Sequence, residues 1–243
     1  MDLDQEQVLD YLHSLKSQHK TPSESFFKHT VYGLRYAYRV YGLKEMRVML
    51  PSIERPDKLP VVLSQQEVKL LIKTPKLIKH KVVLAMLYGC GLRCFELRNL
   101  ELKDLDFDRK MLHIRQGKGR KDRYVPLSDL QIRGLEKYIA AEHPTQWCFN
   151  GYDKAGQVTP LSSRGVQWIV REARKHSGIQ KEITTHSLRH SYATHLLEMG
   201  LDIISVKELL GHADVQTTLT YLHVAQLGRQ KPFSPLDRLY KTQ

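Results

Sequence analysis

Three short runs of alternating polar and apolar residues, between positions 105 and 127, interrupt a chain whose other segments have helical periodicity. The runs cover residues 105–107, 111–116 and 123–127, and turn residues separate them. Alternation with a period of two is typical of strands that bury one face, so the runs predict an antiparallel meander. The predicted fold class is therefore mainly α with a small three-stranded antiparallel sheet (α+β).

Apolar residues recur every three or four positions in the remaining segments, which indicates amphipathic helices. Ser64, followed three positions later by Glu67, resembles a capping box, so one helix is predicted to begin at Gln65. The predicted helices cover residues 6–17, 23–41, 65–72, 79–88, 133–142, 163–176, 188–199, 203–210 and 215–222.

A proline-punctuated stretch separates the first two predicted helices from the rest of the chain. Pro51, Pro56 and Pro60 fall where helical periodicity is lost, which is typical of an extended linker. We therefore predict a short helical domain over residues 1–54, a linker over 55–63 and a second domain over 64–243.

The charge of the chain favours a polyanionic partner. Its 243 residues include 38 Lys and Arg against 26 Asp and Glu, a formal net charge of +12, and nucleic acid is the leading candidate. The three cysteines form no CxxC pair, which favours buried thiols over disulfides or a cysteine zinc site. We expect a cytoplasmic protein without membrane contact, because neither a leader nor a long apolar run is evident.

The segment from Thr185 to His195 combines cationic side chains with a helical apolar stripe. On a helix that begins near Ser187, His186 and Arg189 lie on one side of the first turn, where the positive end of the helix dipole favours anions. The segment therefore predicts a phosphate site. The opposite stripe is predicted to face the core and consists of Leu188, Tyr192, Leu196 and Met199.

Tyr221 lies nine positions after His212, in a predicted helix that follows Leu210-Gly211-His212. A tyrosine hydroxyl has a pKa of about 10, so as a nucleophile it needs cationic neighbours or a base. His212 is a candidate base. Two guanidinium groups suit a pentavalent phosphate because each donates paired hydrogen bonds. Arg93 is the natural partner of Arg189 for this purpose.

These motifs together resemble those of the tyrosine recombinases of the phage integrase class, and most of all the bacterial Xer-type members. The segment from Gly91 to Leu97 resembles the first arginine motif, and Gly117-Lys118-Gly119 resembles the hairpin that bears the catalytic lysine. The remaining matches are His186 to His190, Leu210-Gly211-His212 and the nucleophile position at Tyr221. The resemblance covers residues 59 to about 224.

The resemblance implies site-specific DNA recombination through a 3′-phosphotyrosyl intermediate and a four-way junction, with no metal or other cofactor. It implies that Tyr221 attacks the scissile phosphate, that Arg93 and Arg189 hold the nonbridging oxygens, and that Lys118 protonates the leaving 5′ oxygen. His186 is implied in acid/base transfer and His212 in a hydrogen bond to the phosphate. It also implies a tyrosine recombinase catalytic fold preceded by a helical DNA-clamping domain, of which residues 1–54 resemble only the second half.

Basic side chains outside the motifs are predicted to contact backbone phosphates of double-stranded DNA. They are Arg120, Lys121 and Arg123 beside the hairpin, and Lys28, Arg35 and Arg39 in the first domain. The implied assembly is a homotetramer on two DNA sites in the bacterial nucleoid or on a mobile element, with a related recombinase or an activating protein as a further partner. The tail after Val224 is predicted to serve this assembly, because it carries Leu236, Leu239 and Tyr240.

Other functions fit parts of this pattern. A type IB topoisomerase uses a similar constellation but relaxes one duplex as a monomer. A non-catalytic DNA-binding regulator with the same fold is expected to lack an arginine or the tyrosine. His186, His190 and His195 have spacings that suggest zinc, but no glutamate completes an HExxH pattern. We expect His190 to pack or to hydrogen-bond, and His195 to lie at the surface.

Overall fold

The computed structural model describes residues 5–18, 24–43, 59–115 and 122–225. The chain divides into two compact units, Met1–Lys58 and Leu59–Gln243. The first unit contains helices α1 (Gln5–Gln18) and α2 (Glu24–Val40). Val8 and Leu12 of α1 are buried with Val31 of α2, so these helices share a small apolar core.

The second unit is mainly helical and carries two small antiparallel sheets. Its helices are α3 (Gln65–Lys73), α4 (Ile78–Gly89), α5 (Cys94–Arg98), α6 (Asp129–Glu142), α7 (Ser163–Ser177), α8 (Thr185–Glu198), α9 (Ile203–Leu210) and α10 (Gln216–Leu219). Its strands are β1 (Leu105–Asp106), β2 (Met111–Ile114), β3 (Arg123–Pro126), β4 (Asn150–Tyr152) and β5 (Val158–Pro160). In the described part of the chain, no helix has the length and apolar character needed to cross a membrane.

The predicted three-stranded meander is confirmed, with strand order β1-β2-β3 and antiparallel pairing throughout. Leu112 of β2 pairs with Val125 of β3, and both side chains are fully buried. Ile114 continues the same buried face, while His113 and Tyr124 stack on the other face with ring centroids 4.6 Å apart. The alternation in the sequence therefore corresponds to one core-facing side of the sheet.

Two apolar cores hold the second unit together. The larger core surrounds α4, whose Val83, Leu84 and Leu87 are fully buried, and α4 packs against α6 and α7. Leu112 and Val125 of the three-stranded sheet belong to the same core. The smaller core lies under α8, α9 and α10 and includes Tyr192 and Tyr221. Helix α8 contributes to both cores, and this burial holds its polar residues in place.

Side-chain caps explain where the helices begin. The predicted box at Ser64 and Glu67 is present, with Ser64 N donating to Glu67 Oε2 at 2.7 Å and Glu67 N donating to Ser64 Oγ at 3.2 Å. Helix α6 begins at Asp129 rather than the predicted Arg133, because Ser128 forms a similar box with Gln131. Helix α8 begins at Thr185, before the predicted Ser187, because the Thr184 side chain accepts from Ser187 N.

Several local predictions were incomplete. The short helix α5 and the β4–β5 hairpin were not predicted, and α10 ends at Leu219 rather than Leu222. Met199 was predicted to face the core but is 66% exposed, because it follows the last residue of α8 and precedes Gly200, whose φ is +93°.

Candidate active site

Arg93 precedes α5 and is held by the glutamate of the same helix. Its backbone N donates to Glu96 Oε2 at 2.8 Å, and its Nη1 donates to Glu96 Oε1 at 2.7 Å. The approach to this turn requires Gly91, which has φ +57° and whose added Cβ would lie 2.5 Å from the Tyr192 ring. The turn formed by Gly91, Leu92 and Arg93 therefore packs tightly on α8, and the guanidinium of Arg93 remains partly exposed.

Arg189 is buried in α8, with 3% of its surface exposed. Its Nη1 donates to Gly91 O at 2.6 Å and its Nη2 donates to Leu210 O. Burial and the nearby charge of Arg93 lower the pKa of Arg189 to about 10, so it remains a cation at neutral pH. The sequence places Arg189 beside His186 on one helix, but only His186 is exposed.

Glu96 is the shared counter-ion of three arginines. Arg123 donates from Nη1 to Oε1 at 2.9 Å and from Nη2 to Oε2 at 2.8 Å, and Arg189 Nη1 lies 3.8 Å from Oε2. Burial raises the pKa of Glu96, but the hydrogen bonds and charge of Arg123 outweigh this effect and bring it to about 2. We call Arg93, Arg123, Arg189 and Glu96 the arginine cluster.

The end of α9 completes the cluster through three successive carbonyl oxygens. Leu209 O accepts from Arg123 Nε at 2.9 Å, Leu210 O accepts from Arg189, and Gly211 O accepts from Arg93 Nη2 at 3.3 Å. The carboxyl end of a helix carries partial negative charge, so it stabilises these cations together with Glu96. Three positive charges face one carboxylate, and the excess favours an anion such as phosphate.

Tyr221 follows α10 and is 3% exposed. Its hydroxyl lies 3.1 Å from Nδ1 of His190, and its ring stacks on that of His212 with centroids 6.3 Å apart. Burial raises the pKa of Tyr221, whereas the charges of Arg189 and Arg93 oppose the rise. Because His190 directly follows Arg189 in α8, its contact with Tyr221 places the hydroxyl next to the helix turn that carries Arg189.

The histidines form a row with this tyrosine. The rings of His186 and His190 are 6.3 Å apart, and His212 Nδ1 lies 2.9 Å from the hydroxyl of buried Thr218. Burial, His186 and Arg189 lower the pKa of His190 to about 4, so its imidazole is neutral at neutral pH. We call His186, His190, Tyr221 and His212 the histidine–tyrosine row.

Of the six predicted catalytic residues, Arg93, His186, Arg189, His212 and Tyr221 lie in or beside this site, while Lys118 lies outside the described residues. Arg120 and Lys121 also lie outside them, as does the side chain of Lys28. Arg35 and Arg39 are exposed on α2 in the other unit. Arg123 was predicted to contact a backbone phosphate, and in the structure its guanidinium donates to Glu96 and to Leu209 O.

The prediction that His195 lies at the surface is wrong. His195 is 4% exposed, and its Nδ1 lies 2.8 Å from the hydroxyl of Tyr88. It faces the interior because α8 is covered on several sides by α4, α7 and α9. Among the described residues, no group of three or more His, Cys, Asp or Glu side chains is arranged to hold a metal ion.

Sequence reasoning did not identify the roles of His190 and Arg123 in the site. His190 follows His186 by four positions, so the two share one helix face, and this spacing is the signal that could have indicated its contact with Tyr221. For Arg123 the only signal is its position at the start of a strand beside a basic turn, which is usually solvated.

Comparison with known proteins shows similarity to integrases and recombinases. The model of the phage integrase family matches residues 61–227. A putative integrase/recombinase of Sinorhizobium fredii is 38% identical over 193 residues, which cover 78% of this chain and 62% of that protein. A tyrosine recombinase of Thermosipho africanus is 38% identical over 226 residues, which cover 92% of this chain and 75% of that protein.

Among solved structures, XerH site-specific recombinase bound to its difH substrate has the same fold, with a TM-score of 0.72 and 21% identity over 91% of this chain and 67% of that one. The family model spans most of the chain, and its range contains the arginine cluster and Tyr221. This protein therefore belongs to the phage integrase family, as a tyrosine recombinase.

Proposed function

We propose that this chain is a site-specific DNA recombinase that cleaves and rejoins strands through a 3′-phosphotyrosyl intermediate on Tyr221. One observation carries the proposal: the buried tyrosine hydroxyl lies 3.1 Å from Nδ1 of His190, the neighbour of Arg189 in α8, and the three arginines of the cluster outnumber their one carboxylate. The fold of the XerH–difH complex and the relatives named as recombinases support double-stranded DNA as the substrate.

In the proposed cleavage step, Tyr221 Oη attacks phosphorus and the bond between phosphorus and the 5′ oxygen breaks. Arg93 and Arg189 bind the nonbridging oxygens and stabilise the charge that develops on them. Each guanidinium has five N–H groups, and described residues accept from two in each, so donors are left for a phosphate. The leaving 5′ oxygen takes a proton from Lys118.

The tyrosine proton must leave as the bond to phosphorus forms. In the tautomer with Nδ1 unprotonated, His190 accepts this hydrogen bond at 3.1 Å and orients the hydroxyl. The tyrosine proton passes through His190 to exposed His186 and from there to solvent, and His212 donates to the phosphate. Religation reverses every step: a 5′ hydroxyl attacks the phosphotyrosine and Tyr221 regains its proton.

The remainder of the chain serves DNA binding and assembly in this proposal. Residues 1–54 form a partial DNA clamp that places Arg35 and Arg39 on phosphates, residues 55–63 link it to the catalytic domain, and the tail after Val224 docks on a neighbouring copy. The active form is a tetramer on two DNA sites. A DNA substrate of this kind implies action at the nucleoid.

The test is to incubate the protein with genomic DNA of its source organism, denature the sample and sequence DNA ends that remain attached to protein. We expect attachment through the 3′ phosphate at a discrete site, lost in Tyr221→Phe. Tyr138→Phe is the matched control, because Tyr138 is a fully buried tyrosine of the larger core. An adduct that persists in Tyr221→Phe contradicts the assignment, and relaxation of supercoiled DNA without strand exchange indicates a topoisomerase.

A further inference from the structure

Arg123 occupies an unusual position for the first residue of a strand that follows a basic turn. Its side chain is 9% exposed, although five of the ten residues from 114 to 123 are Lys or Arg and such turns are usually solvated. Three of its five N–H groups donate to protein acceptors, namely both oxygens of Glu96 and the carbonyl of Leu209. Protein groups therefore bind Arg123 more extensively than Arg93 or Arg189, whose side chains each donate two hydrogen bonds to described acceptors.

The fork between Arg123 and Glu96 determines how the other two arginines meet the same carboxylate. Arg123 takes one position on each oxygen, so the side chain of Arg93 makes a single hydrogen bond at 2.7 Å, and Arg189 stays 3.8 Å away. A carboxylate can accept a paired bond from any guanidinium nearby. Without Arg123, Glu96 is free to draw Arg93 and Arg189 toward itself.

The same guanidinium also shapes the turn that carries His212. Gly211 has φ +62°, and an added Cβ would lie 2.9 Å from Arg123 Nη1. Arg123 therefore packs directly on the glycine of the Leu210-Gly211-His212 motif while its Nε binds the carbonyl of Leu209. One side chain thus connects β3, α5 and the end of α9.

We infer that Arg123 is a positioning residue that saturates Glu96 and thereby leaves Arg93 and Arg189 oriented toward a phosphate. This inference rests on the proposed function, since it assigns the two arginines to a scissile phosphate. It differs from a DNA-contact role in its consequences: loss of Arg123 slows cleavage and leaves the number of phosphate contacts unchanged. It also differs from a purely structural role, because the slower cleavage is caused by the charge of Glu96, which binds Arg93 and Arg189 once Arg123 is lost.

The first measurement is the salt dependence of binding to a short fluorescein-labelled duplex. Each phosphate contact contributes about 0.9 to the slope of log affinity against log salt. We expect Arg123→Gln to keep the wild-type slope and Arg120→Gln, which removes one charge from the neighbouring turn, to lower it. A slope that falls by about one in Arg123→Gln overturns the inference, because it makes Arg123 a phosphate contact.

The second measurement is the rate of covalent cleavage at the site trapped with the wild-type protein. We expect Arg123→Gln to be slower by about 100-fold, in the range for a displaced active-site group. Arg123→Lys keeps the charge but loses the paired hydrogen bonds, so its cleavage rate should lie between those of wild type and Arg123→Gln. The double variant Glu96→Gln/Arg123→Gln should be faster than Arg123→Gln alone, since the carboxylate that competes for Arg93 and Arg189 is gone.

A double variant as slow as Arg123→Gln, or slower, overturns the inference. If the wild-type protein forms no adduct, the proposed function fails. The free energies of unfolding of the two single variants and the double variant then still test whether Arg123 is paired with Glu96. The inference requires that the two substitutions couple, with a double variant more stable than the sum of the single losses predicts. Additive losses contradict the ion pair itself.

Discussion

The two halves of the candidate site are held by different kinds of contact. The arginine cluster consists of buried ion pairs and charge-assisted hydrogen bonds to Glu96 and to carbonyls at the end of α9. The histidine–tyrosine row is held by neutral hydrogen bonds and ring contacts. Charge-assisted hydrogen bonds are roughly twice as strong as neutral ones. In the proposed function, this difference gives a preorganised phosphate pocket beside a nucleophile that can change its hydrogen-bond partner.

The largest effect is expected from a change that keeps the charge of the cluster but removes its geometry. Arg189→Lys cannot reach Gly91 O and Leu210 O while donating to phosphate, because an ammonium group is a compact point charge. We expect cleavage to slow by on the order of 10³-fold, as measured by adduct formation in single turnover. Arg171→Lys, at an exposed position on α7, is the control. A loss below about 10-fold would mean that the pocket does not depend on the fork of Arg189.

Acid should weaken the cluster through Glu96. Its folded pKa of about 2 lies below the ordinary value of 4.5, so its stabilising contribution is present above pH 4.5 and is lost as pH falls toward 2. The contribution is on the order of 3 kcal/mol. Urea unfolding at several pH values should show a steeper loss of stability across this window for wild type than for Glu96→Gln. Parallel curves would contradict the ion pair, and exposed Glu136→Gln is the control.

A moderate effect is expected when the histidine–tyrosine row loses its hydrogen bond to the nucleophile. His190→Leu removes the partner of the Tyr221 hydroxyl while keeping an apolar side chain of moderate size. We expect cleavage to slow by about 10- to 100-fold, toward the lower end of the range for a positioned acid/base group. DNA affinity, measured by fluorescence anisotropy, should not change. An unchanged cleavage rate would show that the hydroxyl needs no orientation by His190.

The smallest effect concerns a second tyrosine–histidine pair, whose histidine lies on α8 and whose tyrosine lies on α4. The hydroxyl of Tyr88 lies 2.8 Å from Nδ1 of His195. Tyr88→Phe should lower the free energy of unfolding by about 1 kcal/mol, the usual contribution of one hydrogen bond. It should leave cleavage unchanged and thus serves as the control for His190→Leu. If Tyr88→Phe slows cleavage as much as His190→Leu, the two pairs do not differ in function.

Local signals in the sequence predicted most of the fold. The strand alternation around Leu112 and Val125 and the capping box at Ser64 correspond to elements of the structure, because each depends on residues close in the chain. The β4–β5 hairpin was missed because its strands have three residues each, too few for a periodic pattern. Helix α5 was missed for a similar reason, since five residues make little more than one turn.

The sequence by itself determined which residue types the site contains, since Arg93, Arg189, His212 and Tyr221 stand out by motif and spacing. Only the tertiary structure decided how they are used. Arg123 meets Glu96 across 27 positions, and His190 meets Tyr221 across 31. Such contacts form because apolar burial brings α5, α8, β3 and the end of α9 together, and buried charges must then find partners. A basic residue beside a turn looks the same in sequence whether it faces solvent or a buried carboxylate.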